Sequence, residues 1–129
     1  GLFEEPADAM ARPRCHMCTS AIGAHLYAFG GFDGLHALRT TERLDPTQGT
    51  WERLPDMAEA RVFACSAACT GVLGGMVYVA GGRTVDSVCL ASAERWSPAR
   101  HEWQSLPGMR HARAFAAAAV MSRRNFLVC

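Results

Sequence analysis

Hydrophobic and polar residues alternate over short stretches that are separated by glycine and proline, and this pattern recurs along the chain. Period-two alternation over four to eight residues is typical of β-strands. In the clearest unit it predicts four strands: "VFACSAACT", "MVYVA", "ASAERWS" and "EWQSL". No helical periodicity is found outside the alanine run at residues 116–119, and that run aligns with strand residues of the earlier unit. The predicted class is all-β.

The four-strand pattern occurs more than once in the sequence. Residues 42–63 align without a gap on residues 94–115, and self-similarity at a period of about fifty residues indicates a solenoid or a propeller. The identical pairs include Glu42 and Glu94, Arg43 and Arg95, Pro46 and Pro98, Trp51 and Trp103, Leu54 and Leu106, Pro55 and Pro107, Met57 and Met109, Arg61 and Arg113, and Phe63 and Phe115. Met10 and Arg14 repeat the Met57 and Arg61 spacing, so an earlier copy is partly visible.

These repeats divide the chain into two complete units and two partial ones. We predict the end of a preceding unit at residues 1–13, a first full unit at 14–60, a second at 61–112 and the start of a third at 113–129. "DPTQGT" and "SPARHE" predict turns between the last two strands of the full units, because Pro presets the turn φ and cannot continue a ladder.

The recurring residues resemble the kelch repeat. They are a double glycine after an aromatic-containing strand, Glu-Arg-x-x-Pro, a Trp a few residues later, and Leu-Pro-x-Met before an Arg. "GGFDG" and "ERLDP" are most similar to BTB-kelch proteins, although the second unit departs, with "GGRTV" and with Trp96 and Ser97 in place of Leu44 and Asp45. The resemblance implies a partial β-propeller of four-stranded antiparallel blades. It also implies a protein-binding role, as the substrate-recognition part of a ubiquitin-ligase adaptor or as an actin binder.

Some recurring residues are expected to support the scaffold. The double glycines should end the second strand of each blade and allow close backbone approach, since any Cβ would clash there. Large aromatic side chains should fill the layers between blades. These structural residues are Gly30, Gly31, Gly81, Gly82, Tyr27, Tyr78, Trp51 and Trp103.

Up-and-down strands place two sets of loops at the same end of a propeller. One set joins strands two and three, at residues 32–40 and 83–91, and the other links successive blades, at residues 10–14, 56–61 and 108–113. The polar residues that do not recur are the predicted partner-binding set, with solvated loop residues as the alternative. They are Asp33, His36, Arg39, Arg83, Asp86, Arg110 and His111. Arg14 and Arg61 recur, which favours a scaffold role, but the resemblance implies partner contact, and both are kept as candidates.

Two complete blades form only part of a ring of roughly 4–8 blades. The remaining blades of the parent propeller are therefore an expected partner. We expect the chain alone to associate or to be partly ordered, with Val62, Val77, Val79 and Trp103 exposed on uncovered faces.

Charge and composition limit the function further. Thirteen Lys and Arg against twelve Asp and Glu, without a concentrated basic run, argue against nucleic acid. No apolar run is long enough to span a bilayer, and no signal peptide is recognised, so a cytoplasmic protein without membrane contact is expected. Six cysteines are expected to be free thiols; Cys15 and Cys18 match half a zinc site, but no second pair follows.

The competing class is an enzyme. Kelch-like propellers include copper oxidases, and that resemblance would imply Tyr, Cys and His ligands near the central channel. The five histidines are scattered among turns and loops, and no phosphate-binding glycine loop or nucleophile elbow is present. We therefore expect no catalytic residues, no metal and no cofactor, and a binding module is favoured.

Overall fold

The computed structural model describes Met10 and residues 13–70, 74–114, 118–122 and 125–128. The strands in this part of the chain are β1 (Cys18–Ile22), β2 (His25–Phe29), β3 (Thr41–Asp45), β4 (Thr50–Leu54), β5 (Cys65–Cys69), β6 (Met76–Ala80), β7 (Ala93–Ser97), β8 (Glu102–Leu106), β9 (Ala118–Ser122) and β10 (Asn125–Val128). They form two four-stranded antiparallel sheets, β1–β4 and β5–β8, and a hairpin of β9 and β10. The all-β class and the four-stranded antiparallel blades are confirmed.

Both sheets are meanders with the same register. Tyr27 lies opposite Arg43 in the first sheet, as Tyr78 lies opposite Arg95 in the second. The sheets lie within the predicted units 14–60 and 61–112, whereas most of the predicted segment 1–13 falls outside the described residues. Within the described part of the chain, the repeat in sequence is a repeat in hydrogen-bond pattern.

The proline turns connect the third strand of each sheet to the fourth. In the first sheet, Asp45 Oδ1 accepts the N–H of Thr47 at 2.9 Å. In the second sheet, Ser97 Oγ accepts the N–H of Arg100 at 3.3 Å. A serine therefore replaces the aspartate with the same local turn chemistry.

The first strand of the second sheet is shorter than predicted. The expected strand "VFACSAACT" begins at Val62, but β5 begins at Cys65. Phe63 has a φ of 58°, in the left-handed region, which a strand residue cannot adopt. The sequence pattern could not show this, because Phe is otherwise a strand-forming residue.

The core lies between the two sheets. Its buried members are Cys18, Tyr27, Phe29, Leu54, Met57, Val77, Val79 and Trp96. Trp103 packs edge-on to Phe29 at a centroid distance of 5.5 Å, and its Nε1–H donates to the Pro55 carbonyl at 2.9 Å. Trp103 therefore joins the second sheet to the first, as predicted for an aromatic side chain between blades. Of the other predicted aromatic residues, Tyr27 is buried, and Tyr78 and Trp51 are half-buried.

The expectation that three valines are exposed is wrong. Val62, Val77 and Val79 are 5%, 0% and 0% exposed. Val77 and Val79 belong to the layer that the first sheet covers. They therefore lie on the covered side of the second sheet rather than on an open face.

The first strands of successive sheets lie side by side. β1 packs against β5, and β5 packs against β9. Ser66 Oγ donates to the Thr19 carbonyl at 2.9 Å and lies 2.9 Å from Ser20 Oγ. This arrangement is that of propeller blades, whose first strands face a common axis.

Candidate functional site

The loops between second and third strands meet the linkers between sheets, at one end of the structure. The Met57 N–H donates to the Arg39 carbonyl at 2.8 Å, and the Arg61 N–H donates to the Leu38 carbonyl at 3.0 Å. Equivalent bonds join Met109 to Ala91 and Arg113 to Leu90, at 2.7 and 3.0 Å. We call residues 32–40, 56–63, 83–91 and 108–113, with residues 14–16, the loop end.

The double glycines hold these loops against the sheets. Gly30-Gly31 and Gly81-Gly82 follow β2 and β6 directly, as predicted for the end of each second strand. All four have positive φ. A Cβ on Gly31 would lie 2.6 Å from the Cys15 carbonyl oxygen, and one on Gly82 would lie 2.8 Å from that of Val62. Only glycine fits this backbone path.

Arg14 and Arg61 are enclosed by the sheets that follow them. The Arg61 guanidinium donates to the carbonyls of Gly81 and Ser92, at 2.8 and 2.9 Å, and to Glu94 Oε2 at 3.0 Å. Arg14 repeats these contacts with Gly30, Thr40 and Glu42.

The burial of these arginines contradicts a partner-contact role for them. Their side chains are 1% and 0% exposed, so neither guanidinium is accessible to a partner. The carboxylate of Glu94 also accepts the N–H groups of Ala58 and Glu59, at 2.7 and 3.4 Å. The recurring Arg and Glu hold each linker to the following sheet.

The predicted residues of the first sheet lie on its second loop. Asp33 Oδ1 accepts the N–H groups of Leu35 and His36, at 2.9 and 2.7 Å, so this carboxylate shapes the turn. The side chains of His36 and Arg39 are 71% and 61% exposed. Arg39 Nε lies 3.6 Å from Asp56 Oδ2, which ties the loop loosely to the linker.

The predicted residues of the second sheet lie on the corresponding loop and linker. Asp86, Arg110 and His111 are exposed, and Arg83 is half-buried. In place of the Asp-Gly turn, Thr84 holds this loop: its Oγ1 accepts the Val88 N–H at 3.2 Å, and its own N–H donates to the Val88 carbonyl at 2.9 Å.

A contact between two tilted aromatic rings crosses the junction between the sheets and was not predicted. The rings of His16 and Phe63 have centroids 4.1 Å apart, and the Arg83 guanidinium carbon lies 4.9 Å from the Phe63 centroid. His16 and Phe63 each stand two residues after a recurring arginine, Arg14 or Arg61. This shared position in the repeat could have indicated the contact, but His and Phe are different residue types and the repeat comparison does not pair them. Phe115 follows Arg113 in the same way and lies outside the described residues.

Among the described residues, exposed large hydrophobic side chains concentrate at the loop end. Leu35, Val85 and Val88 are 78%, 56% and 59% exposed, and each lies on a loop between second and third strands. Leu26, at 37%, completes the exposed large hydrophobic residues of the described chain. The turns at the opposite end, residues 46–49 and 98–101, contribute none of these.

The described cysteines occupy both exposed and buried positions. The described cysteines are free thiols, with Cys15 and Cys89 exposed and Cys18 and Cys65 buried. Burial raises the pKa of the Cys18 thiol to about 12, and burial also raises the pKa of Cys65. Among the described residues, no three His, Cys, Asp or Glu side chains form a group that could hold a metal ion. In the same part of the chain, no helix is long and apolar enough to cross a membrane.

Comparison with known proteins identifies related sequences along most of the chain. The family model described as the Kelch motif matches residues 13–58 and 64–110. Kelch-like protein 26 of Homo sapiens is 36% identical over 94 residues, which cover 68% of this chain and 14% of the relative. Kelch-like protein 35 of Mus musculus is 39% identical over 83 residues, covering 64% of this chain and 14% of the relative.

A plant relative extends the similarity. An F-box/kelch-repeat protein of Arabidopsis thaliana is 30% identical over 107 residues, covering 79% of this chain and 21% of the relative. The chain thus spans between about a seventh and a fifth of the length of these relatives. The two repeated sheets, their double glycines and the two matches to the family model show that this chain belongs to the kelch-repeat family.

Proposed function

We propose that this chain is a protein-interaction module that binds a partner protein or peptide through its loop end. The observation that supports this most directly is the asymmetry of the exposed hydrophobic residues within the described part of the chain. Leu35, Val85 and Val88 project from loops of one end, whereas Gln48 and Arg100 are exposed in the polar turns of the other. Exposed apolar groups grouped on one face are typical of an interaction surface.

The charged side chains of the loop end support the same proposal. Arg39, Arg110, His111 and Asp86 are exposed there. A polar rim around apolar contacts is the usual anatomy of a protein interface, in which the rim sets specificity and association rate. These residues, with Asp33, His36 and Arg83, are the predicted partner contacts that remain after Arg14 and Arg61 are assigned to the scaffold.

Two finer roles follow from the resemblance to BTB-kelch proteins. The module either presents a substrate to a ubiquitin ligase or binds actin, in both cases in the cytoplasm. Relatives named as kelch-like and F-box/kelch-repeat proteins favour the first role. Cosedimentation of the full-length protein with filamentous actin distinguishes the two, because a ligase adaptor would stay in the supernatant.

The enzyme alternative receives no support from a specific observation. The tyrosines that a copper oxidase would require as ligands stand at the repeated strand position, where Tyr27 is buried in the layer between the sheets. In the part of the chain that the structure describes, no three His, Cys, Asp or Glu side chains form a group that could hold a metal ion. A non-catalytic module is therefore the function we propose.

Substitutions at the two ends of the full-length protein test the proposal. We expect Arg39→Ala, Arg83→Ala and His111→Ala to weaken capture of partner proteins from cell extract, measured by quantitative mass spectrometry, with an unchanged melting temperature. Gln48→Ala and Arg100→Ala, in the opposite turns, serve as matched controls. Equal losses from both ends would reject the loop end as the binding surface.

A further inference from the structure

The aromatic pair at the loop end is held by contacts of both its rings and its backbone. His16 and Phe63 occupy the same position after successive recurring arginines, and their ring centroids lie 4.1 Å apart across the junction of the two sheets, with the ring planes tilted by 31°. The Phe63 N–H also donates to the His16 carbonyl at 3.0 Å, so backbone and rings are joined. We call His16, Phe63 and the guanidinium of Arg83 the ring platform. It is assembled before any partner arrives.

The ring platform is built on an unfavourable backbone. His16 and Phe63 have φ values of 55° and 58°, a left-handed conformation that residues with a Cβ rarely adopt. Glycine would meet the same geometry without strain. The backbone conformation alone therefore does not explain why a large ring occupies this position in two successive units. Backbone outliers of this kind cluster at functional sites.

The ring platform is accessible and has apolar neighbours in sequence. His16 is exposed, and Phe63 and Arg83 are half-buried. Arg83 begins the loop that carries Val85 and Val88, which are 56% and 59% exposed. Rigid aromatic and arginine side chains contribute most of the binding energy in many interfaces, because they bury large areas at a small entropic cost.

The charge near the ring platform favours a carboxylate. The loop 83–91 and the linker 108–113 of the second sheet contain three arginines and one aspartate. The corresponding segments of the first sheet, 32–40 and 56–61, contain two arginines and three acidic residues. Arg83, whose guanidinium carbon lies 4.9 Å from the Phe63 centroid, belongs to the more cationic of these two sets of segments.

We propose that the ring platform is the central contact of the partner site and that it binds a peptide segment with an aliphatic or aromatic side chain close to an Asp or Glu. The hydrophobic side chain packs on His16 and Phe63, and the carboxylate pairs with Arg83. This inference rests on the proposed function and specifies the chemistry of its partner.

Selection from a phage-displayed library of random dodecapeptides on the immobilised full-length protein tests it. We expect the enriched peptides to combine a hydrophobic residue with a nearby Asp or Glu. Phe63→Gly should lower their affinity at least about tenfold. Glycine suits a φ of 58°, so the backbone path should be kept although the ring contacts are lost. Phe63→Asn, which also tolerates this conformation, provides a second test of the missing ring.

Arg83→Gln separates the two parts of the site. This variant should retain the preference for a hydrophobic residue and lose the preference for Asp or Glu. Gln48→Ala, at the opposite end, should select the same peptides as the unmodified protein.

Several results would overturn the inference. Enriched peptides that bind both Phe63 variants as tightly as the unmodified protein, peptides without the hydrophobic and acidic pair, or a selection that enriches nothing would each remove the ring platform as the site. Peptides whose affinity falls in Arg39→Ala or His111→Ala but not in Phe63→Gly would reject the ring platform and still support binding at the loop end. Peptides that ignore every loop-end variant would reject both.

Discussion

Arg61 and Glu94 form a buried ion pair, 3.0 Å long, between the linker that leaves the first sheet and the third strand of the second. The arginine also donates to two backbone carbonyls, and the carboxylate also accepts two backbone N–H groups. The pair therefore fixes the linker, and with it the loop end, to the following sheet.

Arg61→Met should be strongly destabilising. It leaves the Glu94 carboxylate buried without its cation, and breaking a buried pair in this way costs about 3–5 kcal/mol. Urea denaturation of the full-length protein measures the loss. Arg100→Met removes one member of an exposed contact, to Glu102, and should change the free energy of unfolding by less than about 1 kcal/mol. Similar losses in the two variants would contradict the structural role of Arg61.

Gly31→Val and Gly82→Val should each destabilise the protein by about 2 kcal/mol or more, through overpacking and backbone strain. The new Cβ atoms would lie within 2.6 and 2.8 Å of backbone oxygens. Gly23→Ala is the control, because Gly23 also has a positive φ but no heavy atom within 4 Å of its Cβ position. Its cost should be limited to the strain of about 1 kcal/mol. Calorimetry that ranks Gly23→Ala as the most harmful change would disprove the close-approach argument.

The buried thiol of Cys18 should make stability depend on alkaline pH. Its pKa is raised from 9.0 to about 12 in the folded protein, so the folded state holds this proton more tightly than the unfolded state. The resulting stabilisation is complete below pH 9 and is lost as the pH rises toward 12, at up to about 1.4 kcal/mol per pH unit. Urea titrations at several alkaline pH values should show a shallower decline in Cys18→Ala. An identical decline in both proteins would exclude the thiol as its source.

The same burial predicts an order of thiol reactivity. Cys15 and Cys89 are exposed, while Cys18 and Cys65 are buried with raised pKa values. Because the thiolate is the reactive form, a thiol reagent at neutral pH should modify the exposed pair first. Peptide mapping by mass spectrometry identifies the sites, and early labelling of Cys18 in the folded protein would contradict the packing described.

Trp103 offers a test of the contact between the sheets. Trp103→Phe keeps an aromatic ring against Phe29 but loses the bond to the Pro55 carbonyl, so we expect a loss of about 0.5–1.5 kcal/mol. Trp103→Ala also removes the ring and should cost about 2 kcal/mol or more. Urea denaturation should show this ranking, and equal stability of the two variants would indicate that the ring contributes nothing.

The regular features of the fold could be predicted from the sequence because the residues that specify them occur in both repeats. The strands, the proline turns and the double glycines depend on local backbone preferences that the same residue types meet in each unit. The meeting of loops and linkers at one end follows from the up-and-down order of the strands.

The features that were missed depend on contacts between units. Trp96 was recognised as a departure from the repeat, but its complete burial reflects the space between two sheets, which no single unit reveals. His16 and Phe63 differ in type, and their left-handed backbone is invisible in a hydrophobic pattern. The valines were misplaced because alternation shows that a strand has two faces without showing which face a neighbour covers.

The pairing of Arg61 with a carboxylate on a later strand also has a consequence for the order of assembly. As the chain leaves the ribosome, β1–β4 can pair among themselves, but residues 56–61 meet Glu94 only after β5, β6 and the following loop have been made. The side-chain contacts of Arg61 therefore join the linker to the sheet that follows it, whereas the backbone of the linker also bonds to the loop of the sheet before it. If blades are exchanged between proteins, the transplanted segment should begin before Asp56 rather than after Arg61, so that each transplanted sheet keeps the arginine that pairs with it.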